Sequence, residues 1–124
     1  MKFTLSKSHL YWWPVTVRLP DPENPGQIVE QVLRVQFEPR SRDQQLEAQE
    51  AAAKLTNLRD IIAHDIAEAR AVVRNWDDVI GEDGQLVPFT PENLELALQQ
   101  PWFRKAVQVA LAESMNGEEA RRGN

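Results

Sequence analysis

From Ser41 to Trp76 the chain carries neither Gly nor Pro, and so long an uninterrupted run constrains the fold more than any other feature of the sequence. Ser41 followed by Gln44 at the third position after it is a capping-box pattern that opens a helix. Within the run, Leu55, Leu58, Ile62, Ile66, Ala69, Val73 and Trp76 step by three or four residues, which places them along one helical face. Arg59, Asp60, His64, Asp65, Glu68, Arg70 and Arg74 fall mainly off that face. The spacing predicts one long helix over 41–76, with Leu58, Ile62, Ile66, Val73 and Trp76 in the core. Its first part, Asp43 to Lys54, offers only Leu46 and several alanines, too little apolar area to anchor it strongly. Such a segment either projects as an Ala-rich helix whose small residues let a partner come close, or is a partly solvated helix start.

Ahead of the helix, Val15, Val17 and Leu19 alternate with Thr16 and Arg18, and Val29, Leu33, Val35 and Phe37 oppose Glu30, Arg34 and Gln36. Between the two runs, Pro20-Asp21-Pro22-Glu23-Asn24-Pro25-Gly26 is a loop of turn residues, so residues 1–38 read as a β-hairpin region. Two strands alone are marginal in water. The hairpin therefore takes a third strand from Phe3 to Leu5, lies on a helix, or pairs with another chain. Pro14 and Pro20 bracket the first strand, whose exposed edge is either open to a partner or blunted by them against unwanted pairing.

After the helix, residues 77–89 form an acidic connecting loop with two Gly and one Pro. Thr90-Pro91-Glu92 restarts a helix, with Thr90 as N-cap, Pro91 at the first helical position, and Phe89 and Leu94 placed as a hydrophobic staple. Pro101 ends or kinks that helix, and Trp102, Phe103, Ala106, Val107, Ala110 and Leu111 carry a second stripe to Gly117. Residues 90–117 are thus a helical C-terminal part, with Phe89, Leu94, Trp102, Phe103 and Val107 in the core and a frayed tail at 118–124. The fold class expected is α+β in a single domain over 1–124: a hairpin of two or three short strands, a long helix and two shorter C-terminal helices.

A chain of 124 residues with a net charge of −5 opposes the attraction on which non-specific nucleic-acid binding depends. Its clear basic pair is Arg121-Arg122. The absence of Cys excludes disulfides and thiol nucleophiles and fits a reducing cytosol. No stretch has the apolar length of a signal peptide core or a membrane span. There is no nucleophile elbow, phosphate loop or zinc-binding His-Glu-x-x-His helix. His64 lies one turn after Asp60 and beside Asp65, a pairing open to proton transfer or to a plain surface ion pair. Asp77, Asp78, Glu82 and Asp83 lack EF-hand spacing and read as solvated turn acids. No catalytic, cofactor or metal residue is assigned.

Tyr11, Trp12 and Trp13 cannot all face one way in an extended chain, which leaves at least one of them to a neighbour or to packing within the chain. Together with Leu46, Ala48, Ala51, Ala52 and Leu55, they are the candidate protein-contact residues.

The residues from Trp76-Asp77-Asp78-Val79 through Asp83-Gly84, Val87-Pro88-Phe89-Thr90 and Glu92-Asn93-Leu94 to Glu113-Ser114 and Arg121-Arg122-Gly123-Asn124 form an ordered series. In that order and distance from the C-terminus, the chain resembles the tail assembly chaperones of long-tailed bacteriophages and prophages. The resemblance implies a non-enzymatic protein of the bacterial host cytoplasm. It would coat the tape measure protein, keep it soluble and extended, recruit tail tube protein and leave before the tail is finished. It also implies self-association, no cofactor, no nucleic-acid or membrane partner, and a longer frameshifted form of which this chain is the short version. A small structural tail or connector subunit retained in the virion is the alternative.

Overall fold

The expected hairpin forms, and it is longer than the clean alternation of its residues. In the computed structural model, which describes residues 1–120, β1 (Tyr11–Pro20) pairs antiparallel with β2 (Ile28–Phe37) without interruption from Tyr11 opposite Phe37 to Pro20 opposite Ile28. The Arg121-Arg122 pair and the Gly123-Asn124 end lie outside the described residues. In the loop, Gly26 takes a φ of +83° that side chains disfavour. Asp21 accepts hydrogen bonds from the Asn24 side chain (2.8 Å) and the Glu23 N–H (2.9 Å). Both favour the charged carboxylate and hold its pKa below the usual range.

The third strand is not Phe3–Leu5. It is β3 (Val73–Asp77), which joins the far side of β2 to give a three-stranded antiparallel sheet in the order β1-β2-β3. Residues 1–10 hold no helix or strand, and all are exposed. The long helix expected over 41–76 is therefore corrected twice. Its last turn is strand, and the remainder is divided into α1 (Arg42–Ala53) and α2 (Leu58–Val72). Asn57 causes the division. Its side-chain oxygen accepts the Asp60 N–H at 2.9 Å, and its amide donates to the Asp60 carboxylate at 2.8 Å. This local bonding starts a new helix from an extended residue and competes with continuing the old one. Asn57→Ala is expected to cost about 1 kcal/mol of stability, read from denaturant unfolding, as typical loss of an N-cap does.

The α2–β3 junction has no loop. Val73 caps α2 with its N–H on the Ala69 carbonyl while its own backbone is extended, with φ −91° and ψ 123°. In β3, Trp76 stands opposite Val35 and Val73 opposite Phe37, with a bulge between. Residues three apart on a regular strand face opposite sides, and the bulge returns both Val73 and Trp76 to the buried face.

The C-terminal half follows its local signals. α3 (Pro91–Leu98) starts at Thr90, whose hydroxyl accepts the Asn93 N–H at 3.0 Å, and α4 (Pro101–Met115) starts at the second proline. The capping box at Ser41 also closes in both directions. Between β3 and α3, the loop folds on itself through the Ile80–Leu86 bridge, with Gly84 at φ +77°.

One face of the sheet, with Val15, Val17, Leu33, Val35, Phe37, Val73 and Trp76, meets Ile66, Ala69 and Val72 of α2, Leu94 and Leu98 of α3, and Phe103, Ala106, Val107 and Ala110 of α4 in one cluster. Ile62 and Phe89 pack against it from its margin. Two residues expected in the core are not there. Leu58 is 71% exposed because it is the first residue of α2, beyond the end of the packed stripe; Trp102 is 43% exposed because the buried stripe of α4 begins at Phe103 and leaves Trp102 on its flank. No described helix is long and apolar enough to cross a membrane.

Candidate protein-binding grooves

Alternation along β1 divides its aromatics between the two faces of the sheet. Tyr11 and Trp13 turn toward the core, edge-on to each other at 6.3 Å, and the Tyr11 hydroxyl meets Ser114 Oγ of α4 at 2.6 Å. Trp12 lies on the outer face, 42% exposed, with the Arg34 guanidinium 5.6 Å above its ring. Of the three, Trp12 is therefore the one presented to solvent. The other predicted contact residues lie on α1 and the turn after it. Leu46 and Ala51 are exposed, and Ala48, Ala52 and Leu55 are half-buried. No residue of α1 is buried, in keeping with its small apolar area.

Four of the polar candidates, Asp60, Asp77, Asp78 and Asp83, take part in local structure. Asp60, one turn before His64, bonds the Asn57 cap. The Asp77 and Asp78 side chains stay solvent-exposed and also pair with Arg34 across the sheet. Asp83 accepts the Gln85 N–H at 3.0 Å inside its own turn. Among the described residues no three His, Cys, Asp or Glu side chains gather in a metal-binding group.

Two apolar grooves stand out among the described residues, and each is formed by elements distant in sequence. The first lies between α2 and α3 and has a volume of about 520 Å3. Its floor is Leu58, Ile62, Ala63 and Ile66, residues at helical spacing on α2, and its rim carries Arg59, Arg70, Glu95 and Gln99. Arg70 and Glu95 span it as an ion pair at 3.4 Å, both half-exposed, an arrangement worth at most about 1 kcal/mol. The exposed Leu58 thus acquires a role that its position in the stripe did not suggest.

The second groove, of about 750 Å3, runs along β1 beside α4, with Pro14, Thr16 and Arg18 on the strand and Trp102, Lys105, Val109 and Glu113 on the helix. Trp102, off the core, forms part of this wall. Sequence reasoning missed both grooves. The available signal for the second was Trp102 next to Phe103, since adjacent residues on a helix cannot both face the core squarely.

The residues behind the resemblance lie mostly around the turn from β3 to α3. The Trp76 indole N–H donates to the Val87 carbonyl at 2.9 Å, its ring stands edge-on to Phe89 at 5.3 Å, and the Asn93 amide donates to the Pro88 carbonyl at 3.0 Å. They form a brace for the loop. No family model matches the sequence, and no curated protein and no solved structure matches it either.

Proposed function

We propose that this chain is an assembly chaperone of the phage-tail type, which holds a long helical client, the tape measure protein, in the groove between α2 and α3 and recruits tail tube protein to it in the host cytoplasm. The observation that carries the reading is that groove. It has an apolar floor at helical spacing, a charged rim, and an exposed leucine at its open end. This is the form in which an amphipathic helix is received by its apolar face. A shallow site binds weakly, but many copies along one long client sum to high avidity, as coating requires. The order of residues from Trp76 to Leu94 supports the same reading through its resemblance to that family.

Two tests bear on it. In the first, particles assembled in the presence of the tagged protein are purified and their composition determined by mass spectrometry. Tails that form only when the protein is expressed, yet do not contain it, support a chaperone. Stoichiometric retention in the particle would instead establish a structural subunit. In the second, Leu58→Glu with Ala63→Glu places charge on the groove floor at exposed positions, where stability changes by about 0.5 kcal/mol or less. The soluble fraction of co-expressed client is expected to fall at least tenfold, and an unchanged fraction would remove this groove from the proposal.

A further inference from the structure

β1 is an edge strand. All ten of its residues pair with β2, and among the described residues no strand lies on its other side. A proline inside a paired strand turns its missing N–H outward, away from the ladder. Pro14 therefore marks which residues face the free edge: Trp12, Pro14, Thr16, Arg18 and Pro20, alternate positions along one strand. The N–H groups of Trp12, Thr16 and Arg18, with the carbonyls of the same set, form an unused ladder. Beside it, α4 supplies the opposite wall of the groove with Trp102, Lys105 and Val109. A free strand edge facing a helix across an apolar groove is a receptor for one more strand.

A segment with the matching pattern occurs in the chain itself. Met1, Phe3 and Leu5 alternate with Lys2, Thr4 and Ser6, the period of a strand with one apolar face. Yet the segment pairs with no strand among the described residues: Phe3 and Leu5 are each 87% exposed, and residues 1–10 belong to no ladder. Among the described residues, one molecule thus carries both an unpaired segment of strand pattern and a free strand edge.

We propose that residues Met1–Leu5 of one copy add as a fourth strand to the free edge of β1 in a second copy, with Phe3 and Leu5 entering the groove against Trp102 and Val109. The exchange buries apolar side chains that the single molecule leaves in water and satisfies edge amides that Pro14 and Pro20 leave available. Because each copy both gives and receives a strand, the contact yields reciprocal dimers or head-to-tail chains. It is independent of the client groove, which lies between other elements.

Light scattering coupled to size exclusion tests the exchange on the full chain. The unaltered protein is expected to have a mass that rises with concentration to at least twice that of the monomer. Phe3→Ser with Leu5→Ser, in an exposed segment, removes the donor, and Thr16→Pro removes an outward N–H while sparing the β1–β2 ladder. Each variant is expected to be monomeric with an unchanged circular dichroism spectrum. Mixed in equal amounts, they should give a one-to-one heterodimer, since one retains the acceptor and the other the donor. A monomeric unaltered protein would overturn the proposal, as would oligomers that persist in the Phe3→Ser/Leu5→Ser variant. Protection of the Met1–Leu5 amides from exchange in a monomer would show closure within one chain and would also overturn it.

Discussion

Trp76→Ala is expected to destabilise the protein by about 3–5 kcal/mol, the range for removing a buried large aromatic side chain. Trp76 joins three parts of the molecule. It is part of the edge strand β3, its ring is edge-on to Phe89 at 5.3 Å and to Phe103 of α4 at 6.3 Å, and its N–H holds the Val87 carbonyl. The substitution leaves a cavity among sheet, loop and helix and strands the carbonyl. Small domains are stable by about 5–15 kcal/mol in all, so the variant retains a fraction of its stability. Urea unfolding measures the loss. Trp76→Phe separates its parts, keeping most of the ring contacts and removing the hydrogen bond, for an expected cost of about 1–3 kcal/mol. A Trp76→Ala variant as stable as the parent would contradict the role given to this brace.

Phe37→Ala is expected to cost as much, about 3–5 kcal/mol, through a different connection. Phe37 has no exposed surface and ends the central strand, where it pairs with Tyr11 on one side and Val73 on the other. Its ring lies 6.2 Å from that of Tyr11, whose hydroxyl reaches α4. Loss of the ring loosens all three strands at the end where the α2–β3 junction enters the sheet. In thermal unfolding the midpoint should fall by roughly 10–20 °C, given a few degrees per kcal/mol for a domain of this size. A fall of only a degree or two would mean that the sheet does not depend on this packing.

The parts of the fold that were legible in the sequence are those determined by neighbouring residues. The hairpin follows from two alternating runs about a loop of Pro, Asn, Asp and Gly, and Ser41, Thr90, Pro91 and Pro101 each start a helix where their chemistry requires. The strand at Val73–Asp77 was not legible for a specific reason. Val73 and Trp76 are three residues apart, which is a helical step, and a strand buries both only through a bulge set by its pairing with β2. That pairing brings together residues far apart in the chain. The break at Asn57 was hidden likewise, since a run without Gly or Pro gives no breaker and the cap depends on one side chain turning back on its own backbone.

The candidate site was less legible than the fold. Trp12 could be assigned to one of two faces by alternation alone, but only the sheet determines which face is wet. Leu58 fitted the helical stripe and lies outside the core because the helix begins there. The grooves depend on α2 meeting α3 and on α4 meeting the free edge of β1, contacts that no local pattern records. The acids and His64 illustrate the converse. Their spacing permitted chemistry, while the structure gives Asp60, Asp77, Asp78 and Asp83 to caps, turns and ion pairs.

The proposed function requires that this protein hold a long helical client in solution. The direct measurement is co-expression of the tagged chain with the longest helical reading frame found downstream of its gene, scoring how much of that product is soluble and co-purifies. The expected result is a client that is insoluble alone and is soluble and co-purified when this chain is present. Clean expression of both proteins with no association would contradict it.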